Sequence, residues 1–343
     1  MTEIKLLNDA SEAAWENFVA ACPEASFFHK AGWARVIEKS FGQRPYFLFA
    51  EMGGEIQAIL PLIHVKSRLF GSGLISTAFT VGGGTAAQNE TARQALDQHA
   101  QGLCADLGAA YIEYRGVSQV PVGWVQRDDL YASFVWEIAA KEEDNLQQIP
   151  RKQRAVVRKA IDLDLECSID SSADNFFALF SASVHRLGTP VQSKRYFTNL
   201  LQEFGPDECD ILTISADGQP MSSVLSFYFR GAVLPYFTGG ALAARQYGAN
   251  DLMYWRLMRR AHQRGYAIFD FGRSKVGTGP YSFKKNWGFT PVPITHAYYL
   301  PDGGQPPNTN PTNPKYELLI KAWQRMPLAL ANLIGPHIIR GIG

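Results

Sequence analysis

The amino-acid sequence predicts an α/β (α+β) chain made of one domain repeated in tandem and closed by a helical tail. Three observations carry that expectation. Residues 83–116 and 239–273 follow one plan: a Gly pair, polar residues, a segment of helical period, a Gly, then a short aromatic and acidic strand. Gly108 and Gly265 lie 157 residues apart, as do Glu113 in YIEY and Asp270 in IFDF. Upstream of each, residues 50–65 (AEMGGEIQAILPLIHV) and 214–229 (ISADGQPMSSVLSFYF) read as strand, Gly turn and strand, the signal of a β-hairpin.

Each element has its own local reason. Apolar spacing predicts helices over 11–21 and 31–40 before the first hairpin, and over 172–187 and 193–204 before the second. In the first half Asn89 or Thr91 starts the long helix and Gly108 ends it. In the second, Asn250 or Asp251 caps residues 251–264, Leu252, Trp255, Met258 and Arg259 form the inner stripe, and Gly265 closes the helix. The expected boundaries are therefore 1–148 and 149–300 for the two domains. A linker with five prolines in fourteen residues follows at 301–314, then an amphipathic tail at 315–343 broken at Pro327.

Composition narrows the function. At 343 residues the chain is long enough for two cores, and 46% hydrophobic with 12% aromatic residues excludes a disordered or collagen-like polymer. The 33 Lys and Arg against 32 Asp and Glu leave a net charge of +1, so no global field favours a polyanion, and the 19% charged fraction is low. Cys22, Cys104, Cys167 and Cys209 lie too far apart for a zinc motif or a dense disulfide frame, so reduced thiols and no metal are expected. The acidic start MTEIKLLNDASEAAWENF has no apolar signal region, and no run of about 18 apolar residues appears. The expected location is the cytoplasm or the inner face of its membrane.

P-loop, nucleophile-elbow and HExxH signatures are absent, and VGGGT (81–85) reads as a tight turn before it reads as a phosphate cradle. The chemistry concentrates in 270–289, DFGRSKVGTGPYSFKKNWGF. There a strand end carrying Asp270 leads into a Gly-rich loop with Arg273, Lys275, Lys284 and Lys285 among aromatic residues that include Phe283. Such a loop suits a substrate bearing phosphate or carboxylate groups.

DFG followed by FKKNWGF resembles the closing motif of the FemAB family, and KQRAVVRKA (152–160) resembles that family's basic helix. LGTP (187–190), LPYFTGG (234–240), YGANDLMYW (247–255) and FDFGRSKVGTG (269–279) resemble the branch associated with exosortase/PEP-CTERM and exopolysaccharide systems. The resemblance covers most of 25–300 and implies two tandem GNAT-like domains. It also implies N-acyl transfer to an amine of a cell-envelope, peptidoglycan or exopolysaccharide precursor, either a small molecule or a lipid-linked saccharide or peptide. No tightly bound cofactor is implied; aminoacyl-tRNA or acyl-CoA would be the donor. RQYGAN (245–250) has Asn250 where an acyl-CoA loop has Gly or Ala, and no long heptad arm for tRNA is present.

By the same resemblance, Lys284 steadies the oxyanion or the leaving nucleotide, while Arg186, Thr189 and Tyr236 match positions that contact an acceptor's phosphates. Asp270 either takes a proton or orients the amine, or else has a structural role in capping the loop. Arg151, Arg154 and Arg158 share one helix face, which is either a solvated surface or an anion and tRNA site. The tail either packs on its own domain or makes peripheral contact with a membrane. A scaffold or substrate-binding protein of polysaccharide or PEP-CTERM assembly, without catalysis, is the alternative function.

Overall fold

A computed structural model describes residues 2–67, 70–307 and 317–343. The two hairpin signals become antiparallel pairs, β2 (Arg44–Met52) with β3 (Glu55–Ser67) and β11 (Cys209–Ala216) with β12 (Gln219–Phe229). Each hairpin is the centre of a separate sheet in one of two compact units.

The first unit holds the described residues up to Asp129, the segment from Ile294 and residues His337–Gly343. Its other strands are β1 (Glu3–Leu6), β4 (Gly71–Ser76), β5 (Ala86–Ala87), β6 (Ile112–Arg115), β7 (Val125–Arg127) and β17 (His296–Tyr299). The sheet order is β1-β2-β3-β4-β6-β17-β7, with β5 on β3. Helices α1 (Glu12–Ala21) and α2 (Gly32–Phe41) precede the hairpin, and α3 (Glu90–Asp106) joins β4 to its parallel neighbour β6. Asn89 caps α3 by accepting from the Ala92 amide, and Gly108 supplies the positive φ (60°) just past its end. Leu60, Leu62, Leu96, Ile112 and Tyr114 lie in this unit's core.

The second unit spans Leu130–Pro293 with Glu317–Pro336. It contains β8 (Tyr131–Ser133), β9 (Val135–Glu137), α4 (Glu142–Gln148), α5 (Arg151–Asp162), β10 (Glu166–Ile169), α6 (Asp174–Arg186) and α7 (Lys194–Glu208). After the hairpin come β13 (Ala232–Gly240), α8 (Ala244–Tyr247), α9 (Ala249–Gln263), β14 (Ile268–Asp270), β15 (Ser274–Lys275), α10 (Gly279–Asn286) and β16 (Val292–Pro293). Its sheet runs β10-β11-β12-β13-β14-β9, and β15-β8-β16 form a small second sheet. The α9 crossover between parallel β13 and β14 repeats the α3 crossover between β4 and β6. The sequence repeat is thus a topological repeat. Trp255, Phe269, Phe134 and Trp287 are among its core residues.

Three local details differ from or refine the sequence expectation. Helix α9 begins one turn earlier than a cap at Asn250 or Asp251 would allow: Gly248, in the left-handed region (φ 63°), is its N-cap, and Asp251 sits inside the first turn. Gly205 and Pro206 kink α7 near its end. At Gly239 the strand β13 approaches helix α6 so closely that an added Cβ would lie 2.5 Å from the Leu179 carbonyl carbon and from Phe180 Cα.

The chain crosses from the first unit to the second after Asp129 and back after Pro293, so β9 joins the second sheet and β17 the first. The tail forms α11 (Glu317–Arg325) and α12 (Leu328–Ile339), separated at Pro327. Most of the Pro-rich stretch, 308–314, lies outside the described residues, as do 315 and 316.

Candidate active site

Strand β13 runs to Gly240, yet it pairs with β14 only at Ala232–Ile268 and Val233–Phe269. β14 ends one residue later, at Asp270, so the stretch 234–240 of β13 has no β14 partner. The carboxyl ends of neighbouring parallel strands are where α/β sheets receive ligands, because backbone groups there are left unpaired by the sheet.

Lys284 closes this edge. It sits on α10, is 8% exposed, and its Nζ donates to the carbonyls of Gly272 (3.0 Å) and Arg273 (3.1 Å) in the loop after β14. Its Nζ also lies 5.3 Å from the ring centroids of both Phe134 and Phe271. Burial among these groups lowers the pKa of the amine from 10.5 to about 7; Asp270 opposes the shift and Arg273 adds to it. Asp270 is half-buried, accepts from the Gly272 amide at 2.9 Å, and has its carboxyl pushed up by burial against the pull of that amide and of Lys284. Burial thus moves both groups of this base and acid pair toward neutrality.

The hydrogen-bond count on Nζ is informative. A neutral amine has two N–H donors and a lone pair, and an ammonium has three donors. With two donors spent on the loop carbonyls, a neutral Lys284 keeps its lone pair and a charged one keeps a single N–H. Either way one position of Nζ is left for a reacting group.

The other residues singled out from the sequence divide into two groups. Arg273 stacks its guanidinium over Tyr131 at 4.6 Å, Lys275 is half-buried with its amine pKa lowered by burial, and Lys285 is exposed over Tyr281 at 5.8 Å. Phe283 packs with Tyr254 and Phe271. These side chains share the segment that carries Asp270 and Lys284.

Arg186, Thr189 and Tyr236 lie elsewhere in the unit. The Arg186 guanidinium donates to the Gly240 carbonyl and to Ser183 Oγ, binding the end of α6 to the end of β13. Thr189 is exposed after the helix, with its amide on the Val184 carbonyl. Tyr236 is half-buried against Phe227 and Phe237. Through Gly240, Arg186 is tied to the far end of β13, six residues beyond Leu234, the position next to Val233 and its partner Phe269.

The basic helix is α5, whose Arg151, Arg154, Arg158 and Lys159 line an open concavity of about 470 Å³ together with Ala155 and Asp162. Val157 and Ala160 form its buried face, and Gln153 reaches across to the Asp251 carboxylate.

Asp251 escaped the sequence reading except as a cap. It is 8% exposed and its Oδ1 also accepts from Trp287 Nε1 at 2.8 Å, so one carboxylate ties α5, α9 and α10 together. Tyr254, one turn further on α9, hydrogen-bonds Thr238 on the stretch of β13 beyond its β14 partner and packs with its ring tilted against Phe271 at 4.5 Å. Long-range pairs of this kind leave no spacing pattern in a sequence. The DLMYW run was the available clue, because an Asp in an apolar helix start needs a partner.

Burial raises the Asp251 carboxyl pKa against the pull of Trp287 and Gln153. Its ionised form therefore costs stability that is absent below the ordinary carboxylate value and is felt as pH rises through the raised one. Asp251→Asn keeps an acceptor without the charge and is expected to change stability by less than about 1 kcal/mol. Asp251→Ala leaves Trp287 Nε1 unpaired and is expected to cost about 2–4 kcal/mol. Urea unfolding of the two variants at neutral pH checks the pair.

Comparisons with known proteins bear on the fold. Residues 144–285 match the family model described as an acetyltransferase (GNAT) domain. Among solved structures, FemX superposes with a TM-score of 0.68 at 14% identity, covering 93% of this chain and 100% of that one. A tandem GNAT protein from the clavulanic acid biosynthesis pathway gives 0.57 at 11% identity, over 89% of this chain and 100% of that one. L-PGS from Bacillus licheniformis gives 0.52 at 12% identity, over 94% and 99%. A search of curated proteins gave no match. At these identities the structures speak for the fold, and the family model speaks for the second unit. Residues 144–285 match an acetyltransferase (GNAT) domain, and the chain has the fold of the tandem GNAT proteins.

Proposed function

We propose that this chain is a FemAB-like acyltransferase, which moves an acyl or aminoacyl group onto an amine of a cell-envelope or exopolysaccharide precursor. The observation that carries the proposal is Lys284, a buried amine with one free position, held by the loop that follows β14 and near Asp270. The similarity to FemX supports the aminoacyl reading, and the solved tandem GNAT protein, described as without AcCoA, supports testing acyl-CoA as donor.

The chemistry asks for three things: a neutral acceptor amine, a carbonyl within attack distance, and a donor to the tetrahedral oxyanion. Asp270 takes the proton that the attacking amine loses, a task helped by its raised pKa, and the proton passes to the thiol sulfur or hydroxyl oxygen that leaves as the donor's C–S or C–O bond breaks. Lys284 carries its charge when an anion arrives, because a nearby negative charge favours the ammonium. Its one spare N–H then meets the oxyanion. Phe134 and Phe271 keep water from that N–H and strengthen the contact.

The test gives the purified chain aminoacyl-tRNA or acetyl-CoA together with amino-sugar and peptide precursors, and looks for a new amide by mass spectrometry. Formation of an amide by the wild type and not by a Lys284 variant is expected. No amide with either donor would count against the proposal. The basic face of α5 separates the donors. Replacing Arg151, Arg154 and Arg158 with Glu should raise KM for an RNA-borne donor by about 10-fold or more and flatten its salt dependence. KM for acetyl-CoA should stay within about twofold.

A further inference from the structure

Helix α10, which carries Lys284, has eight residues and is too short to keep its form or its place alone. Rings hold it against the core. Tyr281 meets Phe134 edge-on with centroids 5.4 Å apart, Phe283 leans on Tyr254 at 5.7 Å, and Trp287 meets Phe271 at 6.2 Å. Apolar burial is non-directional, so these contacts keep α10 on the core without fixing its rotation or its position along its own axis. That task falls to a hydrogen bond, whose strength drops steeply with angle.

Trp287 supplies the bond. It is the C-cap of α10, with its amide on the Phe283 and Lys284 carbonyls, so its backbone moves with that of Lys284. Its indole has a single donor, and that N–H goes to Asp251 Oδ1 at 2.8 Å on a fully buried ring. Asp251 stands on fixed ground. It lies in the first turn of α9, where the Ala249 carbonyl accepts from Ser222 Oγ on β12 at 2.8 Å, and Leu252 and Trp255 sit in the core of the unit. Gln153, from α5, donates to the same Oδ1 and so sets the rotation of the carboxylate. The charges that act on the Lys284 amine are those of Asp270 and Arg273. Asp251 therefore reaches Lys284 through Trp287 and the helix, and not through its own field.

We propose that Asp251 is a positioning residue: through the Trp287 N–H it fixes the register of α10 and thereby holds Lys284 Nζ on the Gly272 and Arg273 carbonyls. The consequence for catalysis rests on the role given to Lys284 under the proposed function. Misplacing a catalytic group by about 1 Å can cost roughly 100-fold in rate.

The experiment uses the full chain with isotope-labelled lysine, so that an NMR titration follows the Lys284 amine, its signal assigned by its absence in Lys284→Met. Acyl transfer is measured on the same samples for the wild type, Asp251→Ala, Asp251→Asn and Trp287→Phe, with folding checked by circular dichroism. In Asp251→Ala and Trp287→Phe the amine, loosened from its carbonyls and from the rings of Phe134 and Phe271, should titrate higher, moving from about 7 toward 10.5. In both, kcat should fall by about 10- to 100-fold. Asp251→Asn, which keeps an acceptor for Trp287, should recover both readings. If Asp251→Ala does not fold, Trp287→Phe, which keeps a ring in the core, decides. A role in stability alone would lower the folded fraction and leave the amine of the folded molecules titrating as in the wild type. That result, or a kcat within about threefold of the wild type in Trp287→Phe, overturns the proposal. A wild type that forms no amide overturns the reading of the reaction instead, and the titration still decides whether Asp251 places Lys284.

Discussion

Replacing Lys284 with Met is expected to lower acyl transfer at least about 100-fold and, at the same time, to stabilise the fold at neutral pH. Loss of activity follows from removing the single N–H that the loop carbonyls leave over. The stabilisation follows from the lowered pKa. A lysine at about 7 in the folded chain and 10.5 when unfolded makes the unfolded chain the better proton binder between those values. Its stabilising contribution is complete above 10.5 and is lost as pH falls toward 7, a loss of about 4 kcal/mol at neutrality. Met removes that cost and also two hydrogen bonds of about 1 kcal/mol each, so a net gain of about 2 kcal/mol is expected. Denaturant unfolding and a steady-state assay on the same sample measure both effects. Equal stability with full activity would remove Lys284 from the site.

The pH profile distinguishes the two roles open to the amine. If the ammonium donates to the oxyanion, kcat/KM should fall as pH rises through about 7, and Lys284→Arg should move that fall to much higher pH. A profile that rises through 7 would make the neutral amine the base. The acidic limb should come from Asp270, whose carboxyl sits above its ordinary value, and Asp270→Asn should erase it.

Gly239→Ala is expected to destabilise the second unit by at least about 3 kcal/mol, a large effect for one methyl group. Its Cβ would meet backbone atoms of Leu179 and Phe180, which cannot swing aside as a side chain would. Gly102→Ala is the matched control. Gly102 lies in α3 with nothing within 4 Å of an added Cβ, so helix propensity should make that change stabilising by about 0.5–1 kcal/mol. Opposite signs from the same substitution, read by denaturant unfolding, would show that close approach and not glycine flexibility sets the requirement at 239.

The repeat was legible because each half writes its punctuation locally. Paired glycines, a capped helix and an aromatic-acidic strand recur at nearly the same offset, and they correspond to β4-α3-β6 and β13-α9-β14. The chemical segment was legible for a similar reason, since Asp270, Arg273 and Lys284 lie within 15 residues of one another. What the sequence could not do was rank its cations. Lys284 and Lys285 are neighbours with identical side chains, and only the rings of Phe134 and Phe271 make one of them a buried amine near neutrality. Phe134 comes from 150 residues upstream, on a segment that no local pattern assigns to this unit. Arg186 shows the complementary case: its motif pointed to a phosphate, while its guanidinium spends hydrogen bonds on Gly240 and Ser183.

The return of β17 to the first sheet has a consequence during synthesis. Strand β6 ends at Arg115 and its antiparallel neighbour begins at His296, 181 residues later. At roughly 5–20 residues per second, the ribosome needs about 10–40 s to supply that neighbour. Until then β6 offers an open edge to any other nascent strand. The amino-terminal half should therefore leave the ribosome unfinished, and a cut at the middle of the chain should yield two fragments that each lack a strand made by the other.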